Sequence, residues 1–112
     1  MIHIRKTYQG LNPEMLYEEL RDLAGKQGLL AEEAGLQTYP LSSGATQTRA
    51  VMKLKTSKAE GEKECGSAHI IGSPSGETKM ILDMDENLFP ADRLKTMQEN
   101  LDFILGSYEE RR

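Results

Sequence analysis

Hydrophobic residues recur along this 112-residue chain with two periods, and the changes between them mark out its elements. Leu94, Met97, Leu101, Ile104, Leu105 and Tyr108 repeat at the three- and four-residue spacing of one helical face. Arg93, Lys95, Gln98, Glu99 and Asp102 fall on the opposite face. The spacing predicts a long amphipathic helix over 90–108, opened by Pro90, whose fixed φ suits a first turn. At about 1.5 Å per residue it would span roughly 28 Å. A second stripe, Leu16, Leu20, Leu23 and Ala24, predicts a shorter helix. Asn12 supplies its cap, Pro13 its first turn, Glu14 an acid at the positive end of its dipole, and Gly28 its C-terminal cap.

Elsewhere the period is two. Ile2 and Ile4 alternate with His3 and Arg5, and Tyr8 continues their face in a first strand that ends near Gly10. Over 46–56, Ala50, Met52 and Leu54 point one way, while Arg49, Val51, Lys53 and Lys55 point the other. A strand over 63–72 and one over 77–85 are joined by the tight turn Ser73-Pro74-Ser75-Gly76. In the second of them Thr78, Met80, Leu82 and Met84 share a face. The pattern is weakest from Leu29 to Leu41, where Leu36, Thr38 and Tyr39 suggest a strand that ends at Pro40. Residues 57–62 read as a polar loop.

The predicted order is β-α-β-β-β-β-α in one domain over 1–112. Short turns make the strands mostly antiparallel, and alternation leaves one sheet face apolar and the other wet. Both helices belong on the apolar face. The expectation is a two-layer α+β domain with a five-stranded sheet and a long C-terminal helix.

Composition narrows the function classes. A chain of this size buries one core. The formal charge of -4 argues against a general nucleic-acid binder, whose affinity rests on neutralising phosphates. No apolar run has the length that a bilayer span needs. The opening Met1-Ile2-His3-Ile4-Arg5-Lys6 charges too early for a signal peptide, so a cytoplasmic setting is expected. The single cysteine, Cys65, leaves no internal disulfide and no cysteine-rich metal site.

Catalytic chemistry finds little support. Cys65, Ser67 and His69 fall on one face of their predicted strand, but residues four apart on a strand lie about 13 Å apart. A buried thiol and a half-exposed histidine are expected instead. Asp83, Asp85 and Glu86, followed by Asp92, lack the loop glycine and oxygen count of a calcium site. Arg49, Lys53, Lys55 and Lys58 lack the interleaved aromatics of a stacking platform. His3 reads as a surface residue. Phosphate loops, zinc signatures and nucleophile elbows are missing, and no metal or cofactor is implied.

The methionines leave two readings open. Met52, Met80 and Met84 face inward from their strands and Met97 faces them from the last helix. Methionine adapts to irregular space, so these residues suit either a plain core or a pocket for apolar molecules. Gly66 and Ala68 add a small-residue stripe that leaves a cavity or admits a helix closely.

The strand-helix opening, the antiparallel meander and the run Leu94-Lys95-Thr96-Met97-Gln98-Glu99-Asn100-Leu101-Asp102-Phe103-Ile104-Leu105 resemble the START/Bet v1-like, helix-grip superfamily. That group often carries an Asn-Leu pair before further apolar residues in its terminal helix. The resemblance implies a lipid or other apolar molecule held between sheet and terminal helix. Five strands stand where that group has six or seven, and no catalytic residue carries over. The leading expectation is a non-enzymatic binding domain whose pocket is lined by Met52, Leu54, Met80, Leu82, Met84, Met97, Leu101 and Ile104. The alternative is an interaction protein with a solid core, which self-associates or docks a partner through a strand edge or the wet sheet face. A cavity enzyme, carried only by Cys65, His69 and the acidic cluster Asp83, Asp85 and Glu86, is third.

Overall fold

Alternation and short turns produce an antiparallel sheet of five strands, and the helical stripes produce two helices laid on its apolar face. A computed structural model describes residues 1–110. Its elements are β1 (Ile2–Gln9), α1 (Pro13–Lys26), β2 (Leu30–Pro40), β3 (Thr46–Lys55), β4 (Glu64–Gly72), β5 (Glu77–Met84) and α2 (Ala91–Leu105). In space the strands run β1-β5-β4-β3-β2, every neighbouring pair antiparallel. The α+β order expected from the sequence is the order observed. β1 and β2 are the edges.

The inward residues of the sheet and both helical stripes bury into one core. Ile4, Met52, Leu54, Ile70, Met80, Leu82 and Met84 meet Leu16, Leu20 and Leu23 of α1 and Leu94, Met97, Leu101 and Leu105 of α2. Burial of this kind contributes roughly 2 kcal/mol per large side chain. The helices are then tied to each other and to the sheet. The Asn12 side chain accepts from Met15 N at 2.8 Å and starts α1 as expected. Arg93, from the first turn of α2, donates to the Gln27 carbonyl at the end of α1 and lies 4.8 Å from the Phe89 ring centroid. Lys6 of β1 reaches Asp102 of α2 at 2.8 Å.

α1, not the long C-terminal helix, makes the closest approach to the sheet. Its backbone lies over β2, β3 and β4. At Gly72 an added Cβ would stand 2.1 Å from Pro13 Cγ, so only glycine allows this seating. Of the small-residue stripe on β4, Ala68 is buried in the core and the Met84 side chain fills the space beside Gly66, while Pro13 fills the space over Gly72 further along the strand.

Three local expectations are corrected. Pro90 is the N-cap of α2, in extended conformation (ψ 147°), and not its first-turn residue. The helix ends at Leu105 and tightens into a 3-10 turn over Gly106–Tyr108, because glycine is a poor helix former. Tyr108 therefore lies beyond the helix and is exposed. β2 begins at Leu30, six residues earlier than Leu36, and carries a bulge where the register skips Ala34. The bulge explains the weak pattern, since one extra residue reverses the alternation along the strand.

After the 3-10 turn the chain returns to β1. Glu110 N donates to the Thr7 carbonyl at 2.7 Å, and Glu109 bridges to Tyr8. Tyr8 is 1% exposed, and its hydroxyl has no hydrogen-bond partner among the described residues. An unsatisfied buried hydroxyl costs about 1–3 kcal/mol. Tyr8→Phe is therefore expected to raise stability by roughly 1 kcal/mol, read as a higher urea midpoint with an unchanged slope. A lower midpoint would mean that the hydroxyl has a partner in solution.

Candidate functional site

The eight residues expected to line a pocket do not share one environment. Met52, Leu54, Met80, Leu82, Met84, Met97 and Leu101 are at most 2% exposed and packed into the common core. Ile104 is 39% exposed, because the buried stripe of α2 runs Leu94, Met97, Leu101, Leu105 and leaves it on the flank. Beside it Phe103 points outward.

The candidate chemical residues are likewise separated. A bulge at Cys65, where Lys55 opposes Glu64 and Leu54 opposes Gly66, breaks the alternation of β4. Cys65 is buried, while Ser67 and His69 stay half-buried on the opposite face, so the three do not share a face as the pattern suggested. The thiol donates to the Leu54 carbonyl at 3.5 Å, and burial pushes its pKa up. It is a poor nucleophile. Asp83 pairs with His3, and Asp85 accepts from Asn87 N at 2.9 Å. Among the described residues no group of three ligating side chains is placed to hold a metal ion. No described helix is long and apolar enough to cross a membrane.

The two sheet edges are treated differently. Residues 109–110 lie against β1 at Thr7 and Tyr8. Along the outer side of β2 no described segment pairs. Sheet edges are commonly blunted by charge, proline or a bulge. On β2 those devices sit at the two ends: Glu32, Glu33 and the bulge at Ala34 on one side, Pro40 on the other. Between them Gly35-Leu36-Gln37-Thr38-Tyr39 is uncharged, with Leu36 57% and Tyr39 40% exposed.

Beside this stretch, on the helix side of the sheet, lies a cleft of about 250 Å³. α1 contributes Pro13, Glu14, Tyr17, Glu18 and Arg21; β2 contributes Glu33 and Leu36; β3 contributes Ala50. Helical spacing puts residues 14, 17, 18 and 21 on one flank of α1, beside its core stripe. The bulge brings Glu33 and Leu36 to the same sheet face, opposite Met52 and Ala50 respectively. Ala50 is small and Leu36 is the outermost residue of its row, so the floor stays open. Burial raises the pKa of Tyr17, and the Glu33 charge adds to the effect against a smaller opposing pull from Arg21. Glu14, Glu18, Glu33 and Arg21 form no ion pair among the described residues. Sequence reading passed over this site. Its residues belong to two elements, and the face that Glu33 presents depends on a bulge.

No protein-family model matches the chain, and no curated protein matches it. Among solved structures the chain is similar to the solution structure of cyanobacterial PsbP (CyanoP) from Synechocystis sp. PCC 6803, at 13% identity and a TM-score of 0.44. The likeness covers 98% of this chain and 65% of that chain, so this chain spans under two thirds of that protein. The START/Bet v1-like resemblance is corrected here: no model of that superfamily matches the chain, and the solved structure it is similar to is a PsbP protein. The feature that suggested the family, a long terminal helix gripping the sheet, is shorter than expected and shares the sheet with a more closely seated α1.

Proposed function

We propose that this domain is an interaction module that docks an extended segment of a partner along the open edge of β2. One observation carries the reading: among the described residues no segment pairs with the outer side of β2, whose five uncharged residues include the exposed Leu36 and Tyr39, while residues 109–110 lie against the opposite edge. An added strand gains backbone hydrogen bonds from the edge, and alternate side chains supply selectivity. The closely packed methionines and leucines act as core in this reading rather than as the lining of a pocket.

Hydrogen exchange on the complex with a partner recovered by crosslinking in cells tests the proposal. Amides 35–39 are expected to slow on binding, and Leu36→Lys to weaken binding by about tenfold, roughly 1.4 kcal/mol. The substitution is on the surface, so stability should move by less than about 0.5 kcal/mol. Protection confined to the opposite sheet face would overturn the reading. So would an apolar molecule that co-purifies stoichiometrically in native mass spectrometry.

A further inference from the structure

Building on that edge-docking reading, we propose that the cleft between α1 and β2 receives a lysine or arginine side chain of the docked segment. A strand added beside β2 lies about 4.8 Å away and turns every second side chain toward the helix side of the sheet. The side chain nearest Leu36 meets the cleft. Its floor is apolar, formed by Leu36, Ala50 and the Tyr17 ring, and its walls carry Glu14, Glu18 and Glu33.

The charges decide which side chain fits. Three carboxylates stand against one guanidinium, Arg21, and none of the four is neutralised by an ion pair among the described residues. An acidic side chain would be repelled, and a short polar one would leave the floor wet. Lysine and arginine satisfy both requirements, because their stems lie along apolar surface while the cationic head stays among carboxylates and water.

The same charges select against a second copy of this chain. Two identical edges paired antiparallel would place both α1 helices on one face of the joined sheet. Each would set Glu14 and Glu18 toward the other across the seam. A basic partner avoids that repulsion.

A random octapeptide display library selected on the full chain is the probe. Enriched peptides are expected to carry a basic residue at one fixed position between β-branched residues and to slow exchange of amides 35–39. Replacing that basic residue with norleucine, which keeps the stem, should weaken binding about tenfold. On a chain carrying Glu14→Gln, Glu18→Gln and Glu33→Gln the same replacement should cost nothing further, which isolates the pairing. Peptides that protect β2 without a basic preference, or whose norleucine penalty persists on the triple variant, overturn the inference and leave the edge-docking reading standing. Enrichment of no peptide, or of peptides that protect another surface, overturns both. Sedimentation as a dimer that Leu36→Lys dissociates assigns the edge to a second copy and also overturns both.

Discussion

Replacing Gly72 with alanine is expected to destabilise the domain by about 3 kcal/mol, the upper end of what overpacking costs. The new Cβ would lie 2.1 Å from Pro13 Cγ and 3.0 Å from Pro13 Cδ. A proline ring cannot rotate aside, so the start of α1 has to lift from the sheet. Asn12, which caps the helix, and Leu16, which is fully buried, are carried with it. In a domain of this size the loss corresponds to a fall in Tm on the order of 10 °C or more. Gly35→Ala serves as the control, since nothing lies within 4 Å of a Cβ there; it should change stability by less than about 1 kcal/mol. Adding Pro13→Ala to the Gly72→Ala chain should recover more than half of the loss, because the two residues clash directly. A Gly72→Ala chain with the midpoint of the parent would show that α1 does not sit this close.

Lys6→Met is expected to cost about 2 kcal/mol and to release residues 109–110 from β1. The Lys6 ammonium lies 2.6 Å from Glu109 and 2.8 Å from Asp102, with only 14% of its side chain exposed. Its removal takes the ammonium from between Asp102, whose side chain is 44% exposed, and Glu109, whose side chain is 13% exposed, so the cost falls mainly on the more buried carboxylate. Hydrogen exchange at Glu110, whose N–H is bound to Thr7, should rise before global unfolding does.

The pH profile gives a second reading of the same site. Burial alone would lower the Lys6 pKa, but hydrogen bonds and charge from Asp102 and Glu109 raise it above the ordinary 10.5. A raised lysine contributes its full stability below 10.5, the unfolded value, and loses it as pH climbs through the folded value. Tyr8 acts in the same window. Burial, with the nearby Glu109 and Asp102 charges, raises its pKa above the ordinary 10.0, so only the unfolded chain ionises there. Stability measured by urea midpoint should fall above about pH 10, and Lys6→Met and Tyr8→Phe should each flatten part of the fall. A Lys6→Met chain with the parent's alkaline profile and midpoint would remove the ion pair from the account.

Much of the fold was legible because it is written in local periods. The stripe Leu16, Leu20, Leu23, Ala24 buries as expected, and so do Met52 and Leu54 on β3 and Met80, Leu82 and Met84 on β5. Asn12 caps α1 as its residue type dictates. The errors cluster where a single residue changes the local rule. The bulge at Ala34 hid half of β2, the bulge at Cys65 turned the thiol away from His69, and Gly106 shortened α2. Phe89 and Leu11, which fall between the predicted elements, are fully buried. Neither lies in a periodic segment, so only their neighbours in space place them in the core.

The candidate site was hidden for the same physical reason. Alternation and helical spacing are properties of one segment, and they determined the α+β class, the element order and which residues face the core. Which helix lies closest, which edge is covered and where space remains depend on contacts between residues far apart along the chain. Gly72 seats Pro13, Arg93 reaches the end of α1, and residues 109–110 return to β1. Those contacts leave β2 open among the described residues, beside an apolar floor and three carboxylates that form no ion pair among them. The sequence alone determined that a sheet with two helices forms; tertiary packing decided that its exposed edge and acidic cleft stand together.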